Sequence, residues 1–229
     1  MISQKILDIR SKISSICQRL GQNSNDISLI GVTKFASIEK IQQALNAGLT
    51  HIAENKVQEA QNKFPGFKKS HPNLICHLIG HLQTNKVKAA LEVCDVIQSV
   101  DRLKLAEAIQ KQAEKLNKNV KVLVQVKTSY EEEKFGVAPE ETINLIEQIT
   151  KFNRIGVLGL MTMAPFTDDQ DAIRKCFRQL RELRDQISTR FQGHSHVQMK
   201  YLSMGMTDDY EIAIEEGSNM VRIGRAIFQ

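Results

Sequence analysis

Apolar residues recur every three or four positions at the start of the chain and then, from about residue 27, gather in short runs. Ile6, Ile9, Ile13, Ile16 and Leu20 define one face of an amphipathic helix, and Gly21 supplies the left-handed stop that ends it. A helix over 1–21 is therefore predicted. The runs that follow read as buried strands: 27–34 (ISLIGVTK), 51–55 (HIAEN), 75–82 (ICHLIGHL) and 96–101 (VIQSVD). Four more lie at 121–128 (KVLVQVKT), 155–163 (IGVLGLMTM), 200–206 (KYLSMGM) and 220–228 (MVRIGRAIF).

Helical patterns alternate with these runs. Ser37 can cap a helix carrying Ile38, Ile41 and Leu45 that ends near Gly48, and Asp101 precedes one carrying Leu103, Ala106, Ile109, Ala113 and Leu116. Pro139 opens a helix with Ile143, Ile146 and Ile149, at a position where its missing N–H costs nothing. The longest, over 168–190, carries Ile173, Phe177, Leu180 and Ile187 opposite a charged, solvated face. Strands alternating with helices imply parallel pairing. Eight such units predict an α/β fold, a single (β/α)₈ TIM barrel with an extra N-terminal helix, forming one domain over 1–229. A doubly wound open sheet is disfavoured, because VTKFAS after the first strand contains no G-x-G-x-x-G.

Composition narrows the partners. Lys and Arg number 31 against 26 Asp and Glu, a net charge of +5 that is spread along the chain, and Lys68 and Lys69 fall in what reads as a Pro/Gly loop. Without Trp or a basic run interleaved with aromatics, nucleic-acid binding is not expected; an anionic small ligand suits the charge as well. Cys17, Cys76, Cys94 and Cys176 form no C-x-x-C pair, which argues for reduced thiols and against a zinc module. The N-terminus does not read as a signal peptide, and no apolar run is long enough to cross a bilayer. A cytoplasmic monomer without membrane contact is expected.

In a barrel, chemistry gathers where the strands end. Those ends carry Lys34; Glu54 and Asn55; His81 and Gln83; Asp101; Lys127 and Thr128; Met161 and Thr162; Ser203, Met204 and Gly205; and Arg222, Gly224 and Arg225. A lysine where an apolar strand runs out ordinarily snorkels to solvent. Here it faces a different prospect, because the loops after strands seven and eight commonly cradle phosphate. Ser203 offers a hydroxyl, Gly205 and Gly224 permit close backbone approach, Arg225 adds charge, and Thr207 and Asp208 can open a short helix. For any one glycine a turn is the commoner role. Two small-residue loops in these two places favour a phosphate, and a lysine opposite a phosphate points to a phosphorylated aldehyde, pyridoxal 5′-phosphate above all. Imine formation needs a neutral amine, which desolvation or a neighbouring cation provides. Arg222 can be that cation and can also face the pyridine nitrogen.

The segments GVTK, AENKVQEAQNK, HLIGHLQTNK, QVKTSYEEEKFGV, GLMTMAP, LSMGMTDDYEIAI and GSNMVRIGRAIF together resemble the pyridoxal phosphate homeostasis protein family, relatives of the alanine racemase N-terminal barrel. The resemblance runs from the first strand to the C-terminus. It implies that Lys34 forms the Schiff base, that Asn55 lines the cofactor pocket, and that Ser203, Gly224 and Arg225 hold the phosphate. Arg222 then faces the pyridine nitrogen, and Met204 belongs to the pocket wall. It also implies intracellular vitamin B6 homeostasis, by buffering or delivery, and a part in amino-acid balance, without established turnover. Amino acids and pyridoxal-phosphate-dependent apo-enzymes would be the further partners. The chain departs from the family pattern at Thr33, Ala53, Lys56, Lys127 and Gln229, which affects chiefly the pocket rim.

The main alternative is a weak pyridoxal-phosphate-dependent amino-acid racemase. Alanine racemase uses a second base, a tyrosine from a β-rich domain that this chain is expected to lack, and of Tyr130, Tyr201 and Tyr210 only Tyr130 follows a strand end. A Schiff-base aldolase without cofactor would need an acid–base partner that is not evident, and a purely structural module would not gather so many polar groups on one face. Metal binding by His194 and His196 lacks a nearby carboxylate or thiol ligand. His81 is as well read as structural, Met161, Met163, Met204 and Met206 as barrel filling and pocket wall, and 131–134 as a charged loop whose Lys134 can reach an anion.

Overall fold

In the computed structural model, which describes residues 1–129 and 135–229, eight parallel strands close into a barrel. The chain runs α1 (Ile2–Leu20), β1 (Ser28–Val32), α2 (Ile38–Asn46), β2 (His51–Glu54), α3 (Val57–Ser70), β3 (Ile75–Leu78), α4 (Val87–Val93) and β4 (Val96–Val100). It continues through α5 (Leu103–Lys115), β5 (Val120–Gln125), α6 (Pro139–Ile149), β6 (Ile155–Met161), α7 (Gln170–Arg190) and β7 (Val197–Ser203). The last elements are α8 (Tyr210–Glu215), β8 (Met220–Ile223) and α9 (Arg225–Phe228). The ring closes where β1 meets both neighbours in parallel, Ile30 opposite His51 on one side and Ser28 opposite Met220 on the other.

Helix α1 buries Ile2, Ile6, Ile9, Ile13, Ile16 and Cys17 against the barrel's outer layer and ends at Gly21, whose φ of 66° is the left-handed stop. The alternation of buried faces explains the rest: strands covered by helices outside and packed inside bury both faces, which is why they read as unbroken apolar runs. No described helix is long and apolar enough to cross a membrane.

Several elements differ from the sequence reading. Pro65, Gly66, Lys68 and Lys69 belong to α3 and not to a loop, because Val57, Ala60, Phe64 and Phe67 recur at helical spacing and all are buried. That burial outweighs the poor helix propensity of Pro65 and Gly66. Helix α4, too short to register as a pattern, buries Val87, Ala90 and Leu91. The eighth strand stops at Ile223 and turns into α9, so Tyr210 opens the penultimate helix. Leu20 and Leu116, assigned to apolar stripes, lie at helix ends and are exposed. His194 and His196 precede β7 in a turn, where His196 Nδ1 meets the Ile155 carbonyl at 3.2 Å. Residues 131–134, together with Tyr130, fall outside the described residues.

The barrel interior is part oil, part polar. Ile30, Ala53, Leu123, Met161 and Met220 form an apolar cluster within it. Beside them His77 is buried, its Nε2 3.0 Å from His51 Nδ1 and its Nδ1 2.9 Å from the Gln98 amide. Burial, with His51 adding to it, pushes the His77 pKa down to about 3. All four cysteines are buried, and burial raises the Cys76 and Cys94 thiols to about 12.

A buried ion pair fixes the exit of β1. Glu54, fully buried at the end of β2, accepts from Lys63 Nζ of α3 at 2.7 Å and from the Thr33 hydroxyl at 2.7 Å. Lys63 also donates to the Thr33 carbonyl at 3.1 Å. Burial works against the Lys63 ammonium, but its bonds to Glu54 and Glu59 outweigh it and keep its pKa above the ordinary value. The peptide that carries Lys34 is thus held from below on both its hydroxyl and its carbonyl sides.

Two outcomes test this frame. Below pH 6.5 the unfolded chain protonates His77 while the folded protein resists until about pH 3, so stability falls as pH drops through that window. Urea unfolding is expected to lose about 1 kcal/mol per pH unit from this residue, and His77→Gln to flatten the slope by that amount. Lys63→Met strands the Glu54 carboxylate and is expected to cost about 3–5 kcal/mol, much of it recovered when Glu54→Gln is added.

Candidate functional site

Side chains alternate across a strand, and this parity decides what reaches the barrel's C-terminal mouth. Ile30 and Val32 point inward, and Lys34, two residues further, keeps their side. In β8 Met220 points inward likewise and Arg222 follows it, whereas Val221 and Ile223 pack outward under the helices. Lys34 and Arg222 therefore line one cavity of about 990 Å³, a volume suited to a small organic ligand. Met161 and Met163 supply apolar wall, as read from the sequence.

Lys34 is exposed, its Nζ 4.7 Å from the centre of the Phe35 ring, within the range of a cation–π contact. Phe35 has φ of 65°, a left-handed conformation that a non-glycine residue adopts at a cost of about 1 kcal/mol or more. Its ring is almost fully exposed at the cavity rim, as is that of Phe166, which also lines the cavity.

Arg222 is the buried counterpart. Its Nη1 donates to Ser203 Oγ at 2.7 Å and its Nη2 to the Thr162 carbonyl at 2.8 Å. Burial pushes its pKa down to about 10, with Asp209 acting in the opposite sense, so the guanidinium remains a cation at neutral pH. Asp209 itself is buried and accepts from the Met206 amide at 2.5 Å, which fixes the loop after β7.

That loop and the start of α9, which follows β8 beside Lys34's own strand, form one end of the cavity. Thr207, Asp208, Gly224 and Arg225 line it, with Arg225 paired to Asp208 and the Thr207 hydroxyl 3.5 Å from the Ala226 amide. Gly205 makes the turn: its φ is 94°, and a Cβ there would fall 2.6 Å from that of Ala213.

Of the residues proposed from the sequence, Lys34, Arg222, Gly224 and Arg225 come together in the cavity wall. Ser203 does not offer its hydroxyl there. It is fully buried inside the barrel, accepting from Arg222 and donating to Gln98 Oε1 at 2.7 Å. Met204, next in line, has the opposite parity and is buried in the outer core. Asn55 is half-buried beyond β2, its carbonyl where a Cβ on Gly80 would be, and it is not part of the wall. His81 stacks on Phe135 at 3.9 Å and lies 3.5 Å from Asp101, also outside the wall. Thr207, Asp208 and Asp209, which the sequence does not single out as ligand residues, line the cavity in place of Ser203.

An exposed amine, a buried cation from the neighbouring strand and a hydroxyl–guanidinium end thus share one cavity. Such a set can hold an anionic aromatic aldehyde in a fixed orientation. Comparison with known proteins bears on this arrangement. The family model for the alanine racemase N-terminal domain matches residues 8–229. The pyridoxal phosphate homeostasis protein of Aquifex aeolicus is 40% identical over 225 residues, covering 98% of this chain and 96% of that one. Its counterpart from Pasteurella multocida is 37% identical over 227 residues, with 99% and 96% covered. Among solved structures, PipY of Synechococcus elongatus with pyridoxal phosphate bound superposes with a TM-score of 0.87 at 30% identity over all of both chains. An alanine racemase of Clostridium difficile shares the fold at 16% identity and a TM-score of 0.76, this chain spanning 54% of it. The chain belongs to the alanine racemase N-terminal-domain family and, within it, to the pyridoxal phosphate homeostasis proteins.

Proposed function

We propose that this protein binds pyridoxal 5′-phosphate in the cavity at the C-terminal mouth of the barrel and acts in vitamin B6 homeostasis, buffering or delivering the cofactor. One observation carries the reading: Lys34, Arg222 and the Thr207–Arg225 end line a single cavity. When bound, the cofactor supplies an aldehyde that condenses with an amine and an aromatic ring that accepts electron density.

The residues divide the work. Lys34 presents the amine, on a peptide that Glu54 and Lys63 hold from beneath. Arg222 presents a fixed positive charge to the ring nitrogen; being cationic and donor-only, it disfavours a proton on that nitrogen. Thr207 and Arg225 would hold the phosphate, with Gly224 leaving room for it. Met161, Met163 and Ile79 line the cavity and would cover the ring and limit water. Asn55, Ser203 and Met204 act behind this layer, Ser203 through its bond to Arg222.

Neither Tyr201 nor Tyr210 lines the cavity, so no tyrosine among the described residues stands where a second base would act in racemisation. The reading is therefore binding and exchange, with amino acids and cofactor-requiring apo-enzymes as partners, in a cytoplasmic and monomeric protein.

The purified protein mixed with the cofactor is expected to turn yellow and, after borohydride, to carry a pyridoxyl adduct on the peptide containing Lys34. Lys34→Ala should abolish both colour and adduct; a colourless wild type would overturn the reading. Thr207→Ala and Arg225→Ala are each expected to weaken cofactor binding about tenfold in a fluorescence titration, while keeping the adduct on Lys34.

A further inference from the structure

Below the cavity, five polar side chains from five strands form an unbroken line through the barrel. Arg222 Nη1 is 2.7 Å from Ser203 Oγ, and Ser203 Oγ is 2.7 Å from Gln98 Oε1. Gln98 Nε2 is 2.9 Å from His77 Nδ1, and His77 Nε2 is 3.0 Å from His51 Nδ1. Ser203, Gln98, His77 and Arg222 are all buried. The line begins in the cavity wall and ends at the first residue of β2, beside a smaller cleft that α1 covers at the opposite mouth.

Its direction is forced from one end. A guanidinium only donates, so Ser203 accepts from it and spends its own proton on the Gln98 oxygen. The Gln98 amide nitrogen therefore faces His77, whose Nδ1 must carry a lone pair. The proton of the neutral His77 ring then sits on Nε2 and is donated to His51 Nδ1. Every donor points from the cavity toward the far mouth. Burial keeps His77 neutral, with its pKa near 3, which preserves the lone pair on which the order depends.

Resting on the cofactor reading above, we propose that Gln98 and His77 are positioning residues for Arg222, setting through Ser203 the orientation in which the guanidinium meets the cofactor ring. Neither lines the cavity. Ser203 is a well-aimed acceptor for Arg222 only while its proton is engaged by Gln98, and Gln98 presents its oxygen only while its amide is engaged by His77. Bonds arranged head to tail reinforce one another in this way. The second anchor of Arg222, on the Thr162 carbonyl, is independent of the line. Breaking the line therefore tilts the guanidinium without releasing it.

The test has two arms. In the cofactor-free protein, long-range ¹H–¹⁵N correlation spectra of histidine rings are expected to show His77 as the neutral Nε2–H tautomer throughout pH 5–8. A protonated Nδ1, or a charged ring at pH 6, would overturn the proposal. In the cofactor-loaded protein, Gln98→Met removes donor and acceptor at similar volume. It is expected to shift the pH midpoint of the bound cofactor's visible absorption by about one unit and to weaken binding about tenfold. Gln98→His retains one acceptor and one donor and is expected to restore both values. Loaded wild type with an unaffected Gln98→Met overturns the positioning role alone, whereas a wild type that takes up no cofactor overturns the functional reading and the proposal with it. Should Gln98→Met not fold, the tautomer of His77 in the wild type still decides.

Discussion

A guanidinium buried inside an eight-stranded barrel can neither shed its charge nor go without acceptors, and the interior of this protein is arranged around that constraint. Arg222 is almost wholly enclosed, yet its two terminal nitrogens meet Ser203 and the Thr162 carbonyl, and Asp209 offsets the cost of burial. An apolar filling of Leu, Ile and Val would satisfy a barrel's packing, but it would leave this cation stranded at a cost of several kcal/mol. The polar side chains of β2, β3, β4 and β7 are the response: they take up in sequence the hydrogen bonds that Arg222 starts.

The amine at the end of the neighbouring strand is secured by different means. Lys34 lies beyond the last ladder bond of β1, where a chain would ordinarily be free. Its predecessor is bonded through Oγ1 to Glu54 and to the Ala53 carbonyl, and Lys63 grips the Thr33 carbonyl. Its successor, Phe35, sits in a strained left-handed conformation. The exposed side chain therefore projects from a stem that is fixed on both sides.

The barrel was legible because each strand, buried on both faces, appears as a run of apolar residues, and because Ser37 and Pro139 mark helix starts in the positions that capping requires. Lys34 was legible for the same reason, as a cation closing an apolar run. Helix α3 was not, since Pro65 and Gly66 are loop signals and only the burial of Phe64 and Phe67 overrules them. The choice between the hydroxyls of Ser203 and Thr207 was also out of reach: it depends on where β7 ends and on the turn at Gly205, neither of which leaves a periodic trace. His51, His77 and Gln98 are single polar residues in separate strands. Their meeting is a property of the closed ring, and no local pattern announces it.

The cysteines described with the fold acquire a chemical meaning beside Lys34. Thiolates are the side chains that compete hardest with amines for an electrophile, and all four sulfurs here are enclosed, two of them with pKa values near 12 that leave almost no thiolate at neutral pH. On the proposed cofactor reading this makes the protein chemoselective: its soft nucleophiles are withdrawn, and a carbonyl that enters the cavity meets nitrogen alone.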